Sequence, residues 1–71
     1  KKKRQKIILK AVDELPKELR QVIILYEFEE EPYKEIADKL KIAEGTVKSR
    51  LFNARKILAQ KLSFLKENNH E

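Results

Sequence analysis

Lys48, Ser49, Phe52 and Asn53 lie close together in a stretch free of proline. If that stretch is helical, each residue turns by about 100°, and the four point away from a second set. The second set is Val47, Leu51, Ala54, Leu58 and Leu62, which fall within about 80° of arc and form a core-facing stripe. The outward face therefore carries a cation, a hydroxyl, an aromatic ring and an amide. That set suits the DNA major groove. Lysine can donate to guanine O6 and N7, asparagine can pair with adenine N6 and N7, and an aromatic edge can pack on a thymine methyl. Arg50 and Arg55 stand on the two shoulders of the helix and Lys56 at its outer rim, where they can meet phosphates. A phenylalanine directed to solvent implies a partner, unless Phe64 or the amino-terminal helix covers Phe52.

Helix amino termini add further anion sites. Thr46 and the backbone N–H groups near Gly45 open this helix and can hold a phosphate. Tyr33 and Lys34 open the helix before it and can grip another, although packing explains Tyr33 equally well. Glu44 stands in the first turn, where a negative charge favours the helix dipole.

Catalytic chemistry has little to work with. Glu35 and Asp38 share a helix face, but no nucleophile or second base converges on them. Ser49 has no histidine partner, and no glycine-rich phosphate loop occurs. There is no cysteine, and the single histidine, His70, lies in a polar tail, so disulfides and a histidine or thiolate metal site are excluded. The expectation is a protein that is not an enzyme and needs no metal or cofactor. No apolar run approaches the ~20 residues of a membrane span, and no secretory segment is present, so a cytoplasmic setting is expected.

The charges divide the chain. Of its 71 residues, 41% are charged, well above the usual quarter, and the net charge of +5 is unevenly placed. Residues 1–10 carry six cations and no anion. Residues 11–44 carry five cations against ten anions, and residues 45–71 carry six against two. No acidic residue occurs from Gly45 to Lys66. A single-sign block inside a folded segment suggests an anionic partner, of which nucleic acid is the commonest.

Four helices must position these residues. Ile8, Ala11, Val12 and Leu15 are spaced for one face of a helix that Pro16 ends at Leu15. Pro16 then starts a second helix reaching Phe28, with Leu19, Val22, Ile23 and Tyr26 on one side and Ile24, Leu25 and Phe28 elsewhere. An acidic link, Glu29 to Glu31, precedes a short third helix from Pro32 to Leu40, striped by Ile36, Ala37 and Leu40. Lys41 and Ile42 form a tight turn, and the last helix runs from near Ala43 to Leu62 or Leu65. The reading is an all-α, four-helix domain with a helix-turn-helix over Tyr33 to Lys56. Ala37 allows the two helices to approach, Ile42 plugs the turn, and Lys41 occupies the left-handed position where glycine costs least. The chain divides into a basic leader at 1–6, the end of a linker, then one domain over 7–65 and a polar tail at 66–71 expected to fray.

These residues match a known pattern. Leu15-Pro16, Arg20, the apolar run Val22 to Leu25, Tyr33-x-Glu35-Ile36-Ala37, Leu40-x-Ile42, and Gly45-Thr46-Val47-Lys48-Ser49-Arg50-Leu51 followed by Ala54-Arg55 resemble the carboxy-terminal domain (region 4) of bacterial RNA polymerase sigma factors, of the extracytoplasmic-function type. The resemblance covers about Ile7 to Leu62. It implies a winged-helix-like DNA-binding domain that binds the −35 promoter element through its last helix, with base contacts at Lys48, Ser49, Phe52 and Asn53. It also implies docking on the flap of the RNA polymerase β subunit and masking by an anti-sigma factor. That contact would use the amino-terminal helices and give Ile24, Leu25 and Phe28 a purpose. The sequence departs from the pattern at Asn53, where many members carry arginine, and at Ala43, where proline or serine is common. The promoter-melting domain of such factors is not in the sequence, so the expectation is a domain that does not support transcription by itself.

Two other readings stay open at this stage. The output domain of a response regulator shares the Ile-Ala and Thr-Val-Lys elements, but Tyr33-Lys34 and Ser49-Arg50 stand where it carries other residues. A helical protein-interaction module that binds no DNA is the other, and the acid-free stretch from Gly45 to Lys66 argues against it.

Overall fold

A computed structural model describes residues 9–68, with side chains described over 9–62. Lys1 to Lys6, Ile8 and His70, which figure in the sequence reading, lie outside the described residues, as does the side chain of Phe64. Among the described residues the chain is all helical, with no strand. Helix α1 covers residues 9–13, and α2 is Lys17–Ile23. A π-helical segment, Ile24–Phe28, continues α2 directly. Helix α3 is Tyr33–Leu40 and α4 is Glu44–Asn68.

Proline sets both interior helix starts. Pro16 and Pro32 stand in extended conformations just before α2 and α3, and their carbonyls accept the first turns' bonds from Arg20 N–H (2.9 Å) and Ile36 N–H (3.1 Å). The end of α1 is closed from a distance. Arg20 Nη1 donates to the Asp13 carbonyl at 3.1 Å and to the Leu15 carbonyl at 3.3 Å, satisfying acceptors that a helix end leaves open. Arg20 therefore acts as a clasp between α1 and α2.

The α2 helix widens rather than ending. From Ile24 the bonding shifts by one residue, and Glu29 N–H reaches the Ile24 carbonyl at 3.0 Å. The apolar pattern predicts one regular helix to Phe28. The observed π turn changes the register of every residue after Ile23, and Tyr26 and Glu27 lie within it. The acidic link then reverses at Glu30, in a left-handed conformation (φ 57°). Lys39 pairs with Glu31, tying the link to α3.

The helix-turn-helix corner forms as its residues require. Lys41 adopts φ 58° and ψ 48°, the left-handed position, while its N–H and that of Ile42 bond back to the Ala37 carbonyl. Ile36, Ala37, Val47, Leu51 and Ala54 are buried together with Val22, Ile23, Val12 and Leu15 in one core cluster. Helix α4 packs on both α2 and α3 and so closes the domain. Leu58 and Leu62, the far end of the expected stripe, are half-buried. α4 also continues through Asn68, past the end expected at Leu62 or Leu65. No proline or glycine follows Gly45 to stop it, and Lys61 Nζ meets Glu14 Oε1 at 3.0 Å beside the α1–α2 corner.

Lysine in the left-handed conformation costs about 1 kcal/mol relative to glycine. Lys41→Gly is therefore expected to stabilise the domain by about that amount and to raise Tm by about 4–8 °C, measured by thermal unfolding followed by circular dichroism.

Candidate nucleic-acid interface

The burial of Val47, Leu51 and Ala54 fixes which side of α4 faces out. Val47 and Ala54 have no exposed surface and Leu51 has 2%. Lys48, Ser49, Phe52, Asn53 and Lys56 are exposed on the opposite side, as the stripe requires. Phe52 is 68% exposed, the most exposed large apolar side chain described, and nothing among the described residues covers it. Lys34 is exposed on α3, and Arg50 is half-buried on its shoulder of α4.

The start of α4 differs in one respect from expectation. Thr46 N–H bonds to the Ala43 carbonyl at 3.0 Å, as does Val47 N–H at 3.1 Å, so neither is free for a phosphate. The half-buried Thr46 can offer its hydroxyl, and the N–H groups ahead of it are those of Glu44 and Gly45. Glu44 stands in the first turn, where it favours the helix dipole.

Two expected phosphate ligands are engaged within the protein. Tyr33 stacks on Tyr26, with ring centres 5.1 Å apart and planes at 26°. Lys48 Nζ lies 5.6 Å from the centre of the Tyr33 ring. The Arg55 guanidinium lies 5.3 Å from the centre of the Tyr26 ring. Its Nε and Nη2 donate to Glu27 Oε2 at 3.2 and 2.6 Å. Glu27 holds the Arg55 guanidinium above its ordinary titration range. Both partners of this pair are about half exposed (49% and 44%), and exposed pairs contribute only about 0–1 kcal/mol. A phosphate can therefore compete with Glu27 for Arg55 at little cost.

The apolar spacing places Tyr26 with Leu19, Val22 and Ile23 on the inward side of its helix and assigns Glu27 no role. The sole sequence signal was an aromatic at Tyr26 and another at Tyr33, separated by a link whose path the sequence leaves open.

The second expected surface lies on the far side of α2. Ile24 (36% exposed) and Phe28 (47%) form a shallow groove with Leu9 (53%), Val12, Asp13 and Arg20. Leu25 departs from the expectation. It is half-buried and packs on the core.

Two helices crossing at a tight turn, with the second presenting a cationic and amide face from a buried stripe, define a helix-turn-helix domain of the DNA-binding type. The family profile for Sigma-70, region 4 matches residues 5–58. The chain belongs to the sigma-70 region 4 family. Over 58 residues, 82% of this chain, it is 34% identical to the ECF RNA polymerase sigma-E factor of Haemophilus influenzae. It is 36% identical over the same share to the sigma-E factors of Escherichia coli (strain K12) and Salmonella typhimurium (strain LT2). The matched part spans about 30% of the length of these curated relatives. No helix among the described residues is long and apolar enough to cross a membrane.

Tyr26 beside it holds the Tyr33 phenol above its ordinary value of 10.0, with desolvation acting in the same direction. A proton held more tightly in the folded state means that stability falls as pH rises through this range. Tyrosinate absorbance is expected to show Tyr33 ionising above pH 10.0 in the folded chain, and Tyr26→Leu to lower that midpoint.

Proposed function

We propose that this domain binds duplex DNA at the −35 element of promoters through the outward face of α4, as the recognition module of an extracytoplasmic-function sigma factor. Lys48, Ser49, Phe52 and Asn53 are the base contacts in this reading. Arg50, Arg55, Lys56, Lys34, Thr46 and Tyr33 set the register on phosphates. The observation that carries it is the exposure of Phe52 beside Lys48 and Asn53, on a helix whose opposite face is wholly committed to the core. A bare phenylalanine in the acid-free stretch of α4 from Gly45 to Lys66 has an apolar partner in a thymine methyl and anionic neighbours in the phosphates.

The groove around Ile24 and Phe28 supports a second contact, with the β flap of the RNA polymerase core, and an anti-sigma factor would mask the same face. Leu25 contributes less to it, being half-buried. The acidic residues between 11 and 44 are spread over the elements that precede α4, with Glu44 in its first turn, so the acid-free stretch from Gly45 to Lys66 is the part of the domain whose charge suits DNA. The relatives are RNA polymerase sigma-E factors, which supports a role with DNA and RNA polymerase in general terms.

Gly45 adds an independent point. A Cβ built there meets nothing within 4 Å, and its φ is not positive, so neither packing nor backbone requires glycine. Clearance for a DNA backbone at the start of α4 would require it.

The test is selection of random duplexes on the 71-residue chain at low salt, followed by titration of variants. Lys48→Ala and Asn53→Ala are expected to relax preference at separate positions, by about 1–3 kcal/mol per lost bidentate contact. Arg55→Ala is expected to weaken all duplexes alike and to make the salt dependence shallower. An unchanged selected motif in both Lys48→Ala and Asn53→Ala would refute the assigned face. Gly45→Ala should stabilise the fold by up to about 1 kcal/mol while weakening duplex binding.

A further inference from the structure

Lys48 and Arg55 are seven residues apart, two turns or about 10.5 Å along α4, and they share one side of the helix. Long cationic side chains on a free surface sample many rotamers, and ordering them opposes binding. Here each is parked on an aromatic ring, Lys48 on Tyr33 and Arg55 on Tyr26, and the two rings stack on each other. The result is a continuous ladder of cation, ring, ring, cation. Both tyrosines pack against the core cluster along part of their surface, so the ladder is tied to the rigid part of the domain.

We infer that Tyr26 is a positioning residue for DNA recognition: its ring, set between Arg55 and Tyr33, holds the two cations of α4 in the register in which they meet DNA. The inference rests on the DNA-binding reading above. Tyr26 acts on Arg55 directly and on Lys48 through Tyr33. Its neighbour Glu27 adds a second hold on Arg55, so two consecutive residues of the π turn grip one guanidinium from its face and its edge. A regular α-helix through this segment would turn Tyr26 and Glu27 to a different register, which gives the π turn a purpose. Contact with a ring face engages the charge of Lys48 without using its N–H donors, which stay available to a base edge. Core packing alone would not account for the arrangement, because each ring has a cation within about 6 Å of its centre in addition to its core contacts.

The experiment compares the whole chain with its Tyr26→Leu and Tyr26→Phe variants. The duplexes are the one selected by the unsubstituted chain and a second with the Lys48-read base pair changed. Tyr26→Leu is expected to lower affinity for the selected duplex about two- to fivefold and to narrow discrimination between the two. Tyr26→Phe should restore both, since it keeps the ring. In a Lys48→Ala background, Tyr26→Leu should no longer narrow discrimination. Tyr26 and Tyr33 are the only tyrosines and there is no tryptophan, so near-ultraviolet circular dichroism reports the ladder directly and should lose its tyrosine band in Tyr26→Leu. If Tyr26→Leu does not fold, Tyr26→Met, which also lacks the ring but adapts to irregular packing, carries the same expectations. A folded Tyr26→Leu that binds and discriminates like the unsubstituted chain overturns the inference, as does an equal loss on both duplexes that Tyr26→Phe fails to relieve. If the unsubstituted chain itself selects no duplex, the DNA reading falls first and the positioning role falls with it.

Discussion

Val22, Ile36 and Val47 have no solvent exposure, and they come from α2, α3 and α4 in turn. Their joint burial is the constraint on which the domain depends. A fully buried valine or isoleucine contributes about 1.5–3 kcal/mol. A chain of this size buries only ~60% of its extended surface, so a few such residues carry a large share of a small total. The same contact fixes function. With Val47 and Ile36 locked together across the Lys41 turn, the angle between α3 and α4 is set, and so is the direction in which Lys48, Phe52 and Asn53 point. Ala37 belongs to the same constraint, since a larger side chain there would push the helices apart.

Around this centre the charged residues do less for stability than for arrangement. The three described ion pairs, Lys39 with Glu31, Arg55 with Glu27 and Lys61 with Glu14, all lie at the surface, where such pairs contribute little. Each nevertheless joins two elements, and the second and third join elements distant in the chain. The first anchors the link on α3, the second joins the π turn to α4, and the third ties α4 to the turn after α1. The acidic middle of the sequence thus supplies partners to the basic last helix, and the net positive field is left on the outward face of α4. Because the Arg55–Glu27 pair is about half exposed, it is easily exchanged, so the proposed phosphate contact is compatible with it.

The helices were largely legible from the sequence. Pro16 and Pro32 mark starts, the lone left-handed lysine marks the turn, and the four- and three-residue steps from Val47 to Leu62 give the buried side of α4. The exposed candidates Lys48, Ser49, Phe52, Asn53 and Lys56 follow by elimination from that stripe. Less legible were the features without a local signal. Nothing in Ile24 to Phe28 announces a π turn, since these residues carry no proline, glycine or other local signal for one. The polar composition after Leu65 hides the extra length of α4, because lysine and glutamate are good helix formers and do not end a helix as proline or glycine can.

Sequence alone determined the helical class, the corner and the face that points outward, because helix periodicity and capping act between residues a few positions apart. Only the tertiary structure decided what surrounds that face. Arg55 meets Glu27 across 28 residues, and Arg20 closes α1 from seven residues away. Tyr26 and Tyr33 meet because the link folds back through a left-handed Glu30. Contacts of this kind depend on the path of the chain through space, which is set by the shared core and by no pattern along the sequence. The residues that could touch DNA are therefore a property of the sequence, and the way two of them are held is a property of the fold.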